Sequence, residues 1–301
     1  MRIHTDWSTQ GFALRPAADR VGPFPRRGFL ESWWRLRERG EVMLVEGYDA
    51  FLPLHSDGET IRFAGEADLT DYHAPLGGEA EVLLSEFVSA LPSGTALSFD
   101  SLPEEAAVVI AAGLRSGGTS PTVRRHDTAV VLDLPGSYEE YLAGLAKKQR
   151  HEIRRKGRRF AEAFGEPRLV RDRSPEGFET FVAMHRTAEG DKGRFMTPEI
   201  EDFFGRLLAL GGAVIDVVVG DSGEPLAAAF GFEDVAAYYL YNSAFAPEAA
   251  AGSPGVVLLD RLIQSVVEHG RSRLDFLKGD EEYKYRLGGT ARPLYAVEAT
   301  A

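Results

Sequence analysis

The sequence predicts an α/β protein with a mixed sheet, an α+β arrangement in two similarly ordered halves, and three observations carry that prediction. The C-terminal quarter, Tyr238 to Gly289, reads as strand, loop, helix, strand and then a compact aromatic-basic tail. Three apolar runs joined by short turns precede it: AVIDVVV (213–219), LAAAFGF (226–232) and AAYYLYN (236–242). The same plan of helix, three strands, helix and strand stands upstream in a different sequence. Such alternation of extended and helical runs builds a sheet covered by helices.

In the first half, FLESWWRLRERG (29–40) predicts a helix, followed by strand-like EVMLVE, AFLPLH and TIRFAG. A helix at 79–90, the strand TALSFD, a helix at 103–115 and the run TAVVLDL complete the plan. Gly, Ser, Thr and Pro cluster in SGGTSPTVRRHD, which sets a boundary between halves 1–126 and 127–301. The loop DLTDYHAPL (68–76) groups Asp71, Tyr72 and His73, candidates for binding an acceptor substrate at the wall of a cleft. A turn closed by Asp and Pro geometry explains the same residues.

The second half opens on a basic block. Residues 147–159 hold eight Lys or Arg against one Glu, a local charge of +7 in a chain of net charge −12. Read as a helix, Leu142, Leu145, Gln149, Ile153 and Phe160 form a narrow apolar stripe beside Lys147, Arg150, Arg154 and Arg158. Arg150, Arg154 and Arg158 are candidate phosphate ligands, because guanidinium groups neutralise closely spaced anionic oxygens. A solvated face paired with the acidic remainder is the competing reading.

The last strand of the triplet leads through APEAAAGSPG into the helix VVLLDRLIQSVVEHG and the short strand RLDFLK. Ser253 suits the N-cap and Pro254 the first turn, while Val256, Leu259, Ile263 and Val266 mark a buried face and Gly270 a C-terminal cap. The helix start presents free N–H groups and a positive dipole end to whatever lies beyond the strand. Ser253, Gly255 and Val256 are therefore candidates for binding a donor's phosphates, with Tyr239 and Asn242 on the preceding strand.

Composition bounds the chemistry. With 301 residues and 44% hydrophobic content the chain can build one large or two modest cores. The start lacks a signal-peptide apolar segment and no apolar run reaches the length of a membrane span, which predicts a cytoplasmic protein. Absence of cysteine excludes disulfides, thiolate metal sites and a cysteine nucleophile. The seven histidines stand apart and no HExxH, P-loop or GxSxG occurs, so no metal is expected.

Five segments carry a resemblance: YLAGLAKKQRHEIRRKGRRF, MHRTAEGDKGRF (184–195), GEPLAAAFGF, SPGVVLLDRLIQSVVEHG and LDFLKGDEEYKYRLGG. Over roughly residues 128–290 the chain resembles the GNAT superfamily of N-acyltransferases, in its BioF2-like or CelD-like branch, related to the Fem-type aminoacyl transferases. The resemblance implies tandem GNAT-like halves, the first having lost its cofactor site, and transfer of an acyl or aminoacyl group to a small-molecule amine acceptor without metal. It implies acyl-CoA as donor. The pyrophosphate loop of the family reads Q/R-x-x-G-x-G/A, however, and Ala250, Ser253 and Gly255 stand at its three positions, so only Gly255 matches. An aminoacyl-tRNA donor, its acceptor end against residues 147–159, therefore stays open, whereas an acidic chain disfavours DNA and general nucleic-acid binding.

The resemblance also places Lys284 beside the transferring carbonyl, where an ammonium stabilises the developing oxyanion. Tyr283, beside it, is a candidate for protonating the leaving group, and Tyr285 another. Asp275 on the strand or His185 in the MHRT segment could serve as the base that amine attack requires. Glu189 and Arg194 are candidates for ordering a loop over the substrate. The alternative of a different class is a non-catalytic GNAT-like scaffold, whose cleft would be filled by aromatic side chains.

Overall fold

The structure, a computed structural model, describes residues 1–37, 40–188 and 190–301, without the side chains of residues 191 and 192. Glu189, expected to order a loop, lies outside the described residues. In chain order the elements are β1 (Arg2–His4), α1 (Arg27–Arg37), β2 (Glu41–Gly47), β3 (Ala50–Ser56), β4 (Thr60–Phe63), β5 (Leu76–Gly77), α2 (Ala80–Ser89), β6 (Ala96–Pro103), α3 (Glu104–Ser116) and β7 (Thr122–Asp133). They continue as α4 (Tyr138–Gly144), α5 (Lys147–Phe164), β8 (Arg168–Asp172), α6 (Pro175–Arg186), α7 (Asp191–Phe195), α8 (Pro198–Ala209), β9 (Ala213–Val219), β10 (Pro225–Glu233) and β11 (Ala237–Phe245). The chain closes with α9 (Pro254–Glu268), β12 (Arg273–Lys278), α10 (Glu282–Arg286) and β13 (Thr290–Thr300). Two compact units result, residues 1–129 with 292–301, and residues 130–291.

In the first unit the strands run in the order β1, β2, β3, β4, β6, β13, with β5 paired to β3. The β4–β6 pair is parallel and the others are antiparallel. Helices α2 and α3 pack tightly because Gly113 has no side chain. A Cβ there would stand 2.8 Å from the Glu81 carbonyl oxygen and 3.0 Å from Leu84 Cβ. Leu83, Leu84, Phe87, Ile110 and Leu114 are buried at this contact.

The second unit has the order β12, β11, β10, β9, β8, parallel between β12 and β11 and antiparallel elsewhere. Its core joins Val257, Leu258, Leu262, Ile263 and Val266 of α9 to Val214, Val218, Ala227, Ala229, Tyr238 and Leu274 of the sheet. Each large aliphatic side chain so buried contributes about 1.5–3 kcal/mol. The face predicted for α9 is correct at Leu259, Ile263 and Val266, but Val256 is only partly buried and Val257 and Leu258 face the core. Gly270 ends the helix as expected, left-handed at φ 71° with its N–H on the Val267 carbonyl at 2.8 Å.

One predicted helix is two. The stripe from Leu142 to Phe160 is broken at Leu145 and Ala146, whose ψ angles of 150° and 147° are extended. Ser137 starts α4 by accepting the Glu140 N–H at 3.2 Å, and Arg150 Nη1 closes it, donating to the carbonyls of Ala143 at 2.8 Å and Leu145 at 2.6 Å.

Candidate active site

Strands β9, β10 and β11 form because their apolar runs bury both faces, and they carry the site at their margin. The register of β10 on β11 shifts between Phe230 and Gly231. At that point the Tyr238 ring lies so close that a Cβ on Gly231 would meet Cζ at 2.4 Å, so glycine is required. The parallel ladder of β11 and β12 has three pairs and ends at Tyr239 opposite Asp275, although β11 continues to Phe245 and β12 to Lys278. Just past that end, Asn242 Oδ1 accepts the backbone N–H of Ser243 at 2.7 Å and lies 2.9 Å from His185 Nε2. Since an amide oxygen only accepts, the ring proton of His185 sits on Nε2. His185 is buried on α6, with the rings of Phe181 and Phe195 at 5.8 and 5.7 Å.

At the end of β12 the buried Asp275 accepts the Leu277 N–H on Oδ1 at 2.8 Å, and Leu277 is left-handed at φ 60°. The carboxylate thereby compensates a conformation that a branched side chain rarely adopts. Lys284 is 2% exposed, and its Nζ donates to the carbonyls of Leu277 (3.3 Å), Lys278 (2.6 Å) and Gly279 (3.0 Å) and pairs with Glu281 at 2.9 Å. The ammonium is thus turned into the loop between β12 and α10. Tyr283 projects partly into solvent, but desolvation at its hydroxyl and the nearby Glu281 push the phenol up to about 12. It is protonated at neutral pH. Tyr285 donates to Asp280.

Ser253 occupies the N-cap of α9, yet its hydroxyl makes no capping bond, which corrects the expected role. The backbone there is left-handed (φ 57°, ψ 47°), and its carbonyl instead accepts Val256 N–H at 3.1 Å and Val257 N–H at 3.3 Å. Of the first turn, Gly255 N–H alone has no partner among the described residues. A Cβ on Gly255 would meet only Phe245 at an ordinary 3.6 Å. Tyr239 is buried and donates to Asp234 at 2.8 Å.

The three arginines singled out on α5 divide. Arg150 is occupied by carbonyls, whereas Arg154 and Arg158 are exposed and have no ion-pair partner among the described residues. Both line a cleft of about 340 Å³ with Tyr138, Asp260 and Arg261. Tyr138 donates to the buried Asp260, whose other oxygen takes Arg261 at 2.9 Å. Burial, then the Asp260 charge, raises the Tyr138 phenol. Nothing in the sequence pattern pointed to this trio, since Tyr138 precedes the basic block and Asp260 reads as an ordinary helix position.

In the first unit Tyr72 is wholly buried, with Phe24 at 5.9 Å and the Arg292 guanidinium 5.0 Å above its ring, so it serves the core and offers no surface to a substrate. His73 is also buried, its Nδ1 3.0 Å from the Asp100 carbonyl. Asp71 is partly buried. The structure therefore brings together His185 with Asn242, Tyr239 with Asp275, Arg150 with Arg154 and Arg154 with Arg158, and it buries Tyr72 in the core.

Residues 147–285 match the family model described as an acetyltransferase (GNAT) domain. No curated protein matches the chain. Among solved structures, a conserved protein from Bacteroides thetaiotaomicron is similar at 12% identity with a TM-score of 0.68 over 100% of both chains. FemX is similar at 13% identity and TM-score 0.61, over 98% of this chain and 97% of that one. L-PGS from Bacillus licheniformis follows at 14% and 0.58, over 93% of each chain. At such identities the likeness is one of fold, and it extends over nearly the whole chain.

Proposed function

We propose that the chain, whose residues 147–285 match the acetyltransferase (GNAT) domain model, is a GNAT-type acyltransferase that forms an amide by moving an acyl or aminoacyl group to a small amine. The observation that carries this reading is the three-pair parallel ladder of β11 and β12, with the His185–Asn242 pair immediately past its end. Where parallel strands part, backbone groups and side chains are left facing a ligand instead of each other.

In this reaction the amine nitrogen attacks the donor carbonyl carbon. The C–N bond forms, the bond from that carbon to the leaving sulfur or ribose oxygen breaks, the amine proton passes to a base and the leaving atom takes up another. His185 is the base in this reading, because with its proton on Nε2 the neutral ring has Nδ1 as its basic atom. Tyr283, protonated at neutral pH, supplies the leaving-group proton. Asp275 and Lys284 hold the loop that carries Tyr283. The donor is an aminoacyl-tRNA, with acyl-CoA as the alternative. Two features favour tRNA: a single unbonded amide at the start of α9 is a poor cradle for a pyrophosphate, and Arg154 and Arg158 stand exposed for a nucleic-acid backbone.

Two titrations decide between the donors. Calorimetry with acetyl-CoA is expected to give weak binding, and filter binding with aminoacyl-tRNA a salt-dependent affinity. Low-micromolar acetyl-CoA binding would transfer the role to acyl-CoA. If neither donor binds and no amide product is found by mass spectrometry with a panel of amines, the protein is a scaffold.

A further inference from the structure

The first unit contains a cleft of about 700 Å³ between α1 and the strands β3, β4 and β6, within the size range of small-molecule sites and unused by the transferase reading. Gly65, just past β4, forms part of its lining. A Cβ on Gly65 would stand 2.7 Å from His73 Nε2 and its φ is +120°, so only glycine lets the chain cross the histidine there.

The charges of the wall are largely taken up within the protein. Arg37 pairs with Glu66 at 2.7 Å and Arg62 with Asp57, while Asp100 Oδ1 accepts the Ser101 hydroxyl at 2.7 Å and stands 3.2 Å from His73 Nδ1. Neither arginine is therefore free to hold an anion, and the exposed Asp68 would repel one. What the wall leaves open is neutral and of both hydrogen-bonding kinds. Trp33, 2% exposed, lines the cleft, and its indole Nε1 is buried without a hydrogen-bond partner. An indole N–H only donates, so an acceptor alone completes it. The ring of His55, 8% exposed, stands 5.1 Å from that of Trp33. Its Nδ1 donates to the Phe63 carbonyl at 2.9 Å, so the neutral ring presents Nε2 as an acceptor. His73 repeats this form: Nδ1 faces the Asp100 carbonyl at 3.0 Å, and Nε2, against Gly65, is a buried acceptor without a partner. Buried polar atoms left unpaired are costly and uncommon, and an unpaired donor and acceptor beside one cleft indicate groups completed by something bound.

The matching ligand is uncharged and carries an acceptor oxygen beside a donor N–H. A carboxylate has no hydrogen for the imidazole, an ammonium has no acceptor for the indole, and a hydroxyl must serve both through one atom. We propose that this cleft binds a small neutral carboxamide, its carbonyl oxygen accepting from Trp33 Nε1 and its N–H donating to His55 Nε2. The site lies wholly within the first unit and stands or falls independently of the transferase reading.

Isobutyramide is the probe, with isobutyrate and isobutanol as controls of the same shape, titrated into the full chain and followed by the indole signals in a nitrogen-proton spectrum. The chain has three tryptophans, so Trp33 is assigned by elimination in Trp7→Phe and Trp34→Phe, leaving the buried ring untouched. Isobutyramide should move the Trp33 indole proton downfield along a saturating curve and leave that of Trp7 in place. Isobutyrate and isobutanol should not. His55→Asn keeps an N–H for the Phe63 carbonyl and removes the Nε2 acceptor, and it should weaken isobutyramide about three- to tenfold, the usual loss for one hydrogen bond. If that variant does not fold, the three ligands on the parent chain decide alone. An unmoved Trp33 signal would mean that solvent completes the indole and would overturn the proposal. So would equal binding of isobutyrate or isobutanol, or unchanged affinity in a folded His55→Asn.

Discussion

Lys284 is the residue at which chemistry and architecture compete. A catalytic ammonium would face the donor carbonyl, and its loss would cost about 10²–10³ in turnover with little change in stability. The observed Nζ has three loop carbonyls and Glu281 as acceptors, which more than use its three hydrogens. Lys284→Met would leave those carbonyls short of a donor at a cost of about 1–3 kcal/mol. We therefore expect this variant to lose stability in urea unfolding. A turnover that falls a hundredfold with no loss of stability would restore the direct role. His55 gives a second prediction. Burial holds its imidazole below the ordinary value of 6.5, with Arg62 and His73 adding to the effect and the Phe63 carbonyl and Asp57 opposing it. The unfolded chain thus binds a proton at a higher pH than the folded one, and stability should fall as pH drops below about 6.5, then level off below the folded value. In His55→Gln that part of the acid dependence should vanish, as read from the difference between the two proteins' unfolding curves at each pH.

At the scale of elements, the strands were legible where hydrophobicity alone decides: AVIDVVV and RLDFLK fall on β9 and β12 residue for residue. Helices α6 and α8 were not foreseen, although each announces itself. Ser174 and Thr197 are N-caps followed by proline and glutamate, and their side chains accept the N–H groups of Gly177 and Ile200 at 3.1 and 3.3 Å. The break between α4 and α5 had no such mark, because what holds it is the Arg150 guanidinium folded back onto the carbonyls of Ala143 and Leu145. This predicts opposite phenotypes along one helix. Arg150→Gln should destabilise the protein by about 1–2 kcal/mol, since the carbonyls of Ala143 and Leu145 lose their donor. The double variant Arg154→Gln, Arg158→Gln should leave thermal unfolding within about 0.5 kcal/mol of the parent. It should instead flatten the salt dependence of aminoacyl-tRNA binding by roughly two charges. Equal melting losses in both variants would contradict this division.

At the scale of the whole molecule, the repeated plan seen in the sequence appears as a repeated device. Each unit has a short parallel pair that ends early, two residue pairs in the first and three in the second, with an aspartate and a left-handed residue near the end of its later strand: Asp100 with Ser101 and Asp275 with Leu277. In the candidate site, the histidine–asparagine pair could not be read from the sequence, because His185 and Asn242 lie far apart along the chain and meet only through packing of α6 on the sheet. The same kind of long-range closure governs the chain's end. Residues 292–301 belong to the first unit, where Leu294, Ala296 and Val297 of β13 are buried and Leu294, Tyr295 and Val297–Thr300 pair with β6. The first unit is therefore incomplete without residues 292–301, and its β6 would otherwise be an unpaired edge. A chain ending at Ala291 should lose hydrogen-exchange protection across Ala96–Pro103 and become prone to aggregation, while β9 and β10, which pair only within the second unit, keep theirs. Retained protection at Phe99 and Leu102 in the shortened chain would show that β6 is held by its other neighbours alone.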